Sequence, residues 1–325
     1  MTAFVLRRVL WTLPVILIVV TTIFFMMRAI GGDPFRHGPL LGLSNTQQGK
    51  WVKYGDVQPE SISENLHRRY GLDLPWYEQY GNYLQGVAMF DFGPSLSFRN
   101  VTVNEILREQ APRSMELGAL AFLWAFGLGI PLGVLAAVRQ GTFLDAGIRF
   151  FSSLGFAVPS FLVAALLVYV LSVKLGVFPT NGWNESWRHK VLPSFTLGLV
   201  PLALCTRLVR GATIEALQAE YVVAARAKGL RRRRVVAAHA LRNALIPVIT
   251  AGGPMLGYLL TGSFVIELIF SVPGIGRYYI ASVSARDYNV VLGITVLLAL
   301  VIILANLVVD VLHALLDPRV REAPA

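Results

Sequence analysis

Residues 220–247, EYVVAARAKGLRRRRVVAAHALRNALIP, form a basic, alanine-rich segment between hydrophobic stretches of the chain. Nine Lys or Arg residues and two acids lie from Arg207 to Arg242, so this region carries most of the chain's net charge of +10. Adjacent alanines favour a helix with a smooth face, and Gly229 favours its end because glycine accepts a left-handed backbone. The order of residues therefore predicts a docking element: a short helix, a stop at Gly229, and a second helix that returns to the membrane at Pro247.

The composition identifies a membrane protein. The 325 residues are 55% hydrophobic and 15% charged, with a mean hydropathy of +0.59. Basic residues that border apolar spans mark the cytoplasmic side, so topology explains the high isoelectric point better than nucleic-acid binding does. The single cysteine, Cys205, excludes an internal disulfide and a cysteine-based metal site.

Apolar windows predict six membrane spans, at about residues 9–29, 114–138, 148–173, 191–213, 244–266 and 289–315. No small-x-small cleavage site follows the first apolar stretch, so it is expected to remain as the first span. Arg7 and Arg8 hold the N-terminus inside, and an even number of spans then predicts that both termini are cytoplasmic. The basic loop faces the cytoplasm in this topology.

The predicted organisation has four parts. These are a first transmembrane helix at 1–30, an external insert at 31–112, a five-helix core at 113–318 that contains the cytoplasmic coupling loop 214–243, and a cytoplasmic tail at 319–325. The insert has 7 basic and 9 acidic residues, which the positive-inside rule permits because long loops escape it. Leu and aromatic residues at helical spacing after Pro75 predict a mostly helical insert, in which residues 36–59 lack periodicity and are expected to be mobile.

Sequence motifs for catalysis and nucleotide binding are missing. The chain contains no GxxxxGK[ST], HExxH or GxSxG, and its histidines are too scattered to suggest a metal site. Four charged or titratable residues lie at span ends, where such groups usually cap, pair or snorkel rather than relay ions: Glu116, Lys174, Asp310 and His313. We therefore predict no catalytic residue, no metal site and no enzyme activity in this chain.

Short motifs occur in order along nearly the whole chain: GGDP at 31–34, YGLDLPWYEQYGNYLQG at 70–86, DFGPS at 91–95, AVPSF at 157–161, AARAKGL at 224–230, HALRNALIPV at 239–248, SVPGIGRYY at 271–279, DYNVV at 287–291 and NLVVDVLHALLDPRVR at 306–321. Together they resemble the inner-membrane permease subunits of peptide-type ABC importers, the dipeptide, oligopeptide, nickel and glutathione group. The cytoplasmic signature of that family, Glu-Ala-Ala-x-x-x-Gly, is matched at Ala224, Ala225 and Gly229, with Val223 in the place of its Glu.

The resemblance implies an all-α polytopic protein with the type I importer fold: six transmembrane helices and a mostly helical external insert after the first. It implies a second homologous permease around one pathway, two ATPase subunits or one heterodimer beneath it, an extracytoplasmic substrate-binding protein, and lipid contacts in a bacterial inner membrane. ATP and Mg would be bound by the ATPases, and this chain would bind no cofactor and no nucleic acid. Short peptides are the expected cargo; nickel chelates, glutathione and short glycans stay open.

The resemblance also assigns residues to two sites. ATPase coupling falls to Glu220, Tyr221, Ala224, Ala225, Lys228 and Gly229, and an external gate or dock to Pro273, Gly274 and Gly276. For the outer residues, a plain tight turn is an equal alternative. For Ala225, replacement by Glu is expected to put a charge into the contact face.

Two other classes of function remain open from the sequence. One is a gradient-driven secondary transporter or channel without an ATPase, for which the chain offers no midplane pair of acids. The other is a membrane scaffold or receptor, which would leave the Ala-Ala-x-x-x-Gly order unexplained. Copurification with ATPase subunits distinguishes the permease from the gradient-driven transporter.

Overall fold

Helices make up almost all of the regular structure in the computed structural model, which describes residues 2–30, 68, 71–98, 101–183 and 185–316. In chain order they are α1 (Thr2–Ile30), α2 (Trp76–Met89), α3 (Val103–Val138), α4 (Phe143–Ala157), α5 (Ser160–Lys174), α6 (Arg188–Gln218), α7 (Glu220–Ala227), α8 (Arg232–Leu260), α9 (Phe264–Ile269), α10 (Ile275–Ala285) and α11 (Tyr288–Leu316). The helix predicted after Pro75 is α2. The segment 36–59, expected to be mobile, lies outside the described residues.

The described residues contain five or six candidate membrane spans, against the six predicted. Within the described ranges, five helices are individually long and apolar enough to cross a bilayer: α1, α3, α6, α8 and α11. The helices α4 and α5 meet the same test only as a pair, bent by 107°, which makes six spans if the pair is one crossing. The span predicted at 148–173 is thus a bent pair of helices and not one straight helix.

Proline chemistry explains the bend between α4 and α5. A residue that precedes proline is pushed out of the helical region, and Val158 accordingly has φ −93° and ψ 126°. Pro159 then precedes the first turn of α5, where its missing N–H costs no helical hydrogen bond. Pro159 thus ends α4 and precedes the first turn of α5.

The described residues form two compact units. The core unit contains 2–8, 114–183, 185–272 and 301–316, and the insert unit contains 9–30, 68, 71–98, 101–113 and 273–300. A buried apolar cluster of the core unit includes Leu117, Ala121, Leu197, Leu259, Ile266 and Phe270. A cluster of the insert unit includes Val20, Phe92, Val103, Ile106, Val290 and Ile294. The predicted segment boundaries themselves stay a prediction.

Glycines allow two pairs of helices in the core unit to approach closely. A Cβ built on Gly133 of α3 would lie 2.6 Å from the Val209 Cβ of α6, and one on Gly253 of α8 would lie 2.9 Å from the Val309 Cβ of α11. Small residues at four-residue spacing permit such contacts in membrane proteins. The pairs Gly129/Gly133 and Gly253/Gly257 therefore mark helix interfaces.

Candidate functional site

The helix α7 is a two-turn element between the long helices α6 and α8, and Gly229 ends it. Gly229 has φ +75°; its N–H donates to the Arg226 carbonyl at 2.9 Å, and the Leu230 N–H donates to the Ala225 carbonyl at 3.4 Å. These two bonds form a Schellman motif, which requires a left-handed residue at this position. The prediction that Gly229 terminates the helix is confirmed.

One face of α7 packs against the protein. Val222 and Ala225 are buried with Val235 of α8, and Leu217 and Leu230 cover the same cluster. Because α7 is short, this packing rather than helix propensity holds it in place. The contacts join α7 to the last turns of α6 and the first turn of α8.

The opposite face of α7 is exposed. It presents Tyr221, Val223, Ala224, Arg226, Ala227 and Lys228. Glu220 is also exposed in the first turn, and Lys228 is the C-cap residue, so both charges complement the helix dipole. This face is apolar at its centre and charged at its two ends.

The position of Ala225 corrects one expectation. Its side chain is only 7% exposed, whereas its neighbour Ala224 faces outward. A partner that lies against α7 can reach Ala224 but not Ala225, because residues adjacent on a helix point about 100° apart. Ala225→Glu would therefore disturb the packing of α7 instead of placing a charge on the contact face.

A hydrogen bond fixes the start of α7. The Asn243 side-chain amide on α8 donates to the Tyr221 hydroxyl at 2.8 Å. Together with the Val222–Val235 packing, it ties α7 to the first turns of α8. These two contacts hold α7 against α8.

The predicted outer site begins a helix rather than a plain turn. Gly274 is the residue before α10, with an extended backbone at φ −104° and ψ −178°. Gly274 and Gly276 are buried and Pro273 is partly exposed. The two glycines therefore pack inside this chain, and a protein that docks on the outer face would have to contact other residues.

Charged residues at the span ends have partners. Glu116 accepts hydrogen bonds from Lys190 Nζ at 2.5 Å and from Trp183 Nε1 at 3.1 Å. Lys174 lies over the Tyr169 ring, 5.6 Å from its centroid. Glu116 and Lys174 thus each have a partner within the chain, as expected. The His313 side chain lies outside the described residues. In the described ranges, no three His, Cys, Asp or Glu side chains converge on a common point that could hold a metal ion.

Comparison with known proteins gives the family. Residues 129–322, which include all of α7 and α8, match the family described as binding-protein-dependent transport system inner membrane component.

The chain belongs to this family.

Curated relatives match over nearly the whole length. The dipeptide transport system permease protein DppB of Bacillus subtilis is 38% identical over 99% of this chain and 98% of its own. The oligopeptide transport system permease protein OppB of Salmonella typhimurium is 39% identical over 99% of this chain and 100% of its own. Among solved structures, an inward-facing MetNI methionine ABC transporter chain superposes with a TM-score of 0.55 at 18% identity, covering 65% of this chain and 96% of that one. The last match concerns the fold alone.

Family membership decides between the functional classes. The chain is an inner-membrane component of a binding-protein-dependent transport system, and it is a permease rather than an enzyme. The all-α permease fold is confirmed as well. Membership favours the permease over a gradient-driven transporter.

Three buried acids of the described residues were not predicted from the sequence: Asp145, Glu267 and Asp287. In the insert unit, Asp287 caps α11 by accepting from the Val290 N–H at 3.3 Å, and it also accepts from the Ser97 N–H at 3.0 Å and from the Ser95 hydroxyl. Burial raises the pKa of the Asp287 carboxyl, and the hydrogen bonds from Ser95 and Ser97 oppose that rise. An Asp immediately before an apolar run is a helix-start signal, so the cap could have been found.

The second missed acid, Glu267, belongs to the core unit. It is fully buried in α9 and accepts from the Ser114 hydroxyl of α3 at 2.8 Å. The two residues are 153 positions apart, so no local pattern indicates their contact. Glu267 fixes the short helix α9 to the long helix α3.

Proposed function

We propose that this chain is a permease subunit of an ATP-driven importer of short peptides. It would pair with a second homologous permease to enclose the pathway, with two ATPase subunits on the cytoplasmic side and a substrate-binding protein outside. The relatives named for dipeptide and oligopeptide transport support the peptide class, because they are similar over 99% of the chain. ATP and Mg would be bound by the ATPases and not by this chain.

The structural observation that carries the proposal is the two-sided character of α7. Its inner face is anchored through Val222 and Ala225, and its outer face offers Tyr221, Ala224 and Lys228. Small side chains let the backbone of a helix approach a groove closely, while charges at the two ends fix its direction. We infer that the outer face of α7 lies in a groove of one ATPase.

The mechanism follows from how α7 is held. Closure of the ATPase pair on ATP would displace α7, and its packing on Val235 would move α8 with it. Rigid helices then carry the displacement across the membrane as a rigid-body change. The chain acts as a transmission and a gate, with no catalytic group of its own.

The orientation in the proposal places both termini in the cytoplasm of a bacterium. Arg7 and Arg8 precede the first span, and Arg231–Arg234 follow α7, so Arg residues border the spans on the side of the basic loop. The positive-inside rule supports the cytoplasmic location of that side. Under the same proposal the loop from Pro273 to Gly276 lies outside, where its buried glycines would set the packing of an external gate.

Cysteine crosslinking tests the coupling contact. Ala224→Cys and Ala225→Cys place a thiol on adjacent residues, one exposed and one buried, in a chain whose single natural cysteine is buried. In membranes that contain the whole transporter, we expect a reagent that joins a thiol to a lysine amine to link Ala224→Cys to an ATPase subunit and to leave Ala225→Cys unlinked. The assignment of this face would be refuted if both variants gave equal amounts of crosslinked product. It would also be refuted if neither gave product although the ATPase copurified with the permease.

Uptake in proteoliposomes tests the substrate class. The purified complex, with its binding protein and ATP, is expected to accumulate labelled trialanine. ATP-independent uptake by this chain alone would instead support the gradient-driven alternative.

A further inference from the structure

A second connection leaves the cytoplasmic segment at Arg232, the first residue of α8. Its guanidinium Nη2 donates to the Val138 carbonyl at 2.6 Å, in the last turn of α3. The last four carbonyls of a helix have no partner within it, and a cation there is favoured by the helix dipole. At the start of its own helix the same charge is unfavourable. The contact with α3 therefore stabilises the Arg232 charge at a position where α8 alone would disfavour it.

The turn after α3 leads to a buried carboxylate. Asp145 in the first turn of α4 is fully buried, and one of its oxygens accepts from the Gly141 N–H of that turn at 3.1 Å. The carboxylate also binds Arg210 of α6 in a bidentate pair, at 2.7 Å from Nε and 2.9 Å from Nη2. Such fork-shaped pairs fix direction as well as distance.

These contacts form one continuous chain within the core unit. It runs from Arg232 to the Val138 carbonyl, through the turn that contains Gly141, to Asp145 and then to Arg210. Because α7 is anchored on Val235, the residues that follow Arg232 move with α7. This series of hydrogen bonds thus joins the start of α8 to α3, α4 and α6, all of which precede α7 in sequence.

We propose that Arg232 and Asp145 are positioning residues that transmit displacement of α7 to α3, α4 and α6. This inference rests on the proposed coupling role of α7. Packing already joins α7 to α6 through Leu217 and to α8 through Val235, and the hydrogen bonds add a direct link to α3 and α4.

The sequence supplies a matched control. Arg233 occupies the same exposed turn and carries the same charge, but its side chain makes no hydrogen bond or ion pair with the described residues. Arg232→Gln removes the donor to Val138, Arg232→Lys keeps a donor at that place, and Arg233→Gln removes only charge. None of the three alters a buried side chain, so all three are expected to fold.

The experiment uses the whole complex in proteoliposomes and measures trialanine uptake per ATP hydrolysed. We expect Arg232→Gln to lower this ratio by about 2- to 30-fold, the range found when a residue in a coupling network is changed. Arg233→Gln should keep the wild-type ratio, and Arg232→Lys should restore most of it. Equal ratios for Arg232→Gln and Arg233→Gln would overturn the inference.

A double-mutant cycle tests whether Asp145 belongs to the same chain. Asp145→Asn combined with Arg232→Gln should lower the ratio by less than the product of the two single effects, because one chain is broken twice. If the two effects multiply, the proposed role of Asp145 is overturned, because independent effects are what a purely structural residue would show.

Two outcomes separate this inference from the proposed function. If the wild-type chain does not copurify with ATPases, the proposed function fails and the inference fails with it. If the wild-type complex hydrolyses ATP but takes up no trialanine, the proposed substrate class is wrong. The variants are then compared by how strongly the binding protein stimulates their ATP hydrolysis.

Discussion

The contact between α3 and α6 at Gly133 leaves no room for a methyl group. A Cβ at this position would lie 2.6 Å from the Val209 Cβ and 2.7 Å from the Thr206 carbonyl oxygen. Gly127 on the same helix has no heavy atom within 4 Å of the corresponding point. Gly133→Ala and Gly127→Ala therefore add the same methyl group to the same helix, once in a closed site and once in an open one.

The geometry sets the size of the effect. Carbon atoms pack best at about 3.5–4.0 Å, so the two helices must separate by roughly 1 Å at Gly133. Overpacking of this kind costs about 1–3 kcal/mol. The gain in helix propensity, about 1 kcal/mol, is common to both variants and cancels in their comparison. We expect Gly133→Ala to unfold at a lower temperature than Gly127→Ala, by about 2–4 °C per kcal/mol.

Cys205 provides the assay. It is the chain's single cysteine, it is buried, and it lies in the same interface, where a Cβ on Gly129 would be 2.9 Å from the Cys205 Cβ. A fluorogenic maleimide reacts with this thiol only when α3 and α6 part, so fluorescence during heating reports the opening of this interface. Equal midpoints for the two variants would refute the close approach of α3 and α6.

Three further predictions concern α7 and the insert unit. Ala225→Glu buries a carboxylate beside Val222 and should lower the free energy of unfolding by roughly 3 kcal/mol or more. Immunoblotting would detect this loss as less permease in membranes. Ala224→Glu should leave the amount of permease unchanged and lower the yield of copurified ATPase. Gly229→Ala meets no atom within 4 Å but must adopt φ +75°, so it should cost about 1–2 kcal/mol, and Gly229→Asn less, in thermal unfolding of the purified complex; equal losses would contradict a conformational cause. Because burial raises the Asp287 pKa, the folded insert unit holds that proton more tightly than the unfolded chain, so its stability should fall as pH rises above about 4 through the raised value. Hydrogen exchange at Ser97, corrected for its intrinsic rate, should show this trend in the wild type and lose it in Asp287→Asn.

Local features of the site were predictable from the sequence. The end of α7 at Gly229 depends on one residue's backbone preference, and the helix α2 depends on spacing within a few turns. The bend at Pro159 had an equally local signal in the restricted residue before proline, but the apolar run around it suggested one continuous span. Hydropathy averages over a window and so misses a break of two residues.

Contacts between distant segments were not predictable. The inward position of Ala225 depends on Val235, which belongs to the next helix, and α7 offers too few turns for its own pattern to define a buried face. Asp145 and Arg210 are 65 residues apart, and Ser95 and Asp287 are 192 apart. A single sequence does not say which charged residues meet, since each of these could equally face water at the end of a helix.

The four arginines at 231–234, which lie at the start of α8, have two separate roles. Lys and Arg beside a span keep their loop on the cytoplasmic side during insertion, so under the proposed orientation Arg231–Arg234 would help to set the direction in which α8 is inserted. In the finished protein, Arg232 caps the end of α3. Removing all four charges would alter biogenesis and contact together, whereas a single replacement leaves three arginines to direct insertion. Engineering of this segment can therefore change its contacts one residue at a time while the topology signal is retained.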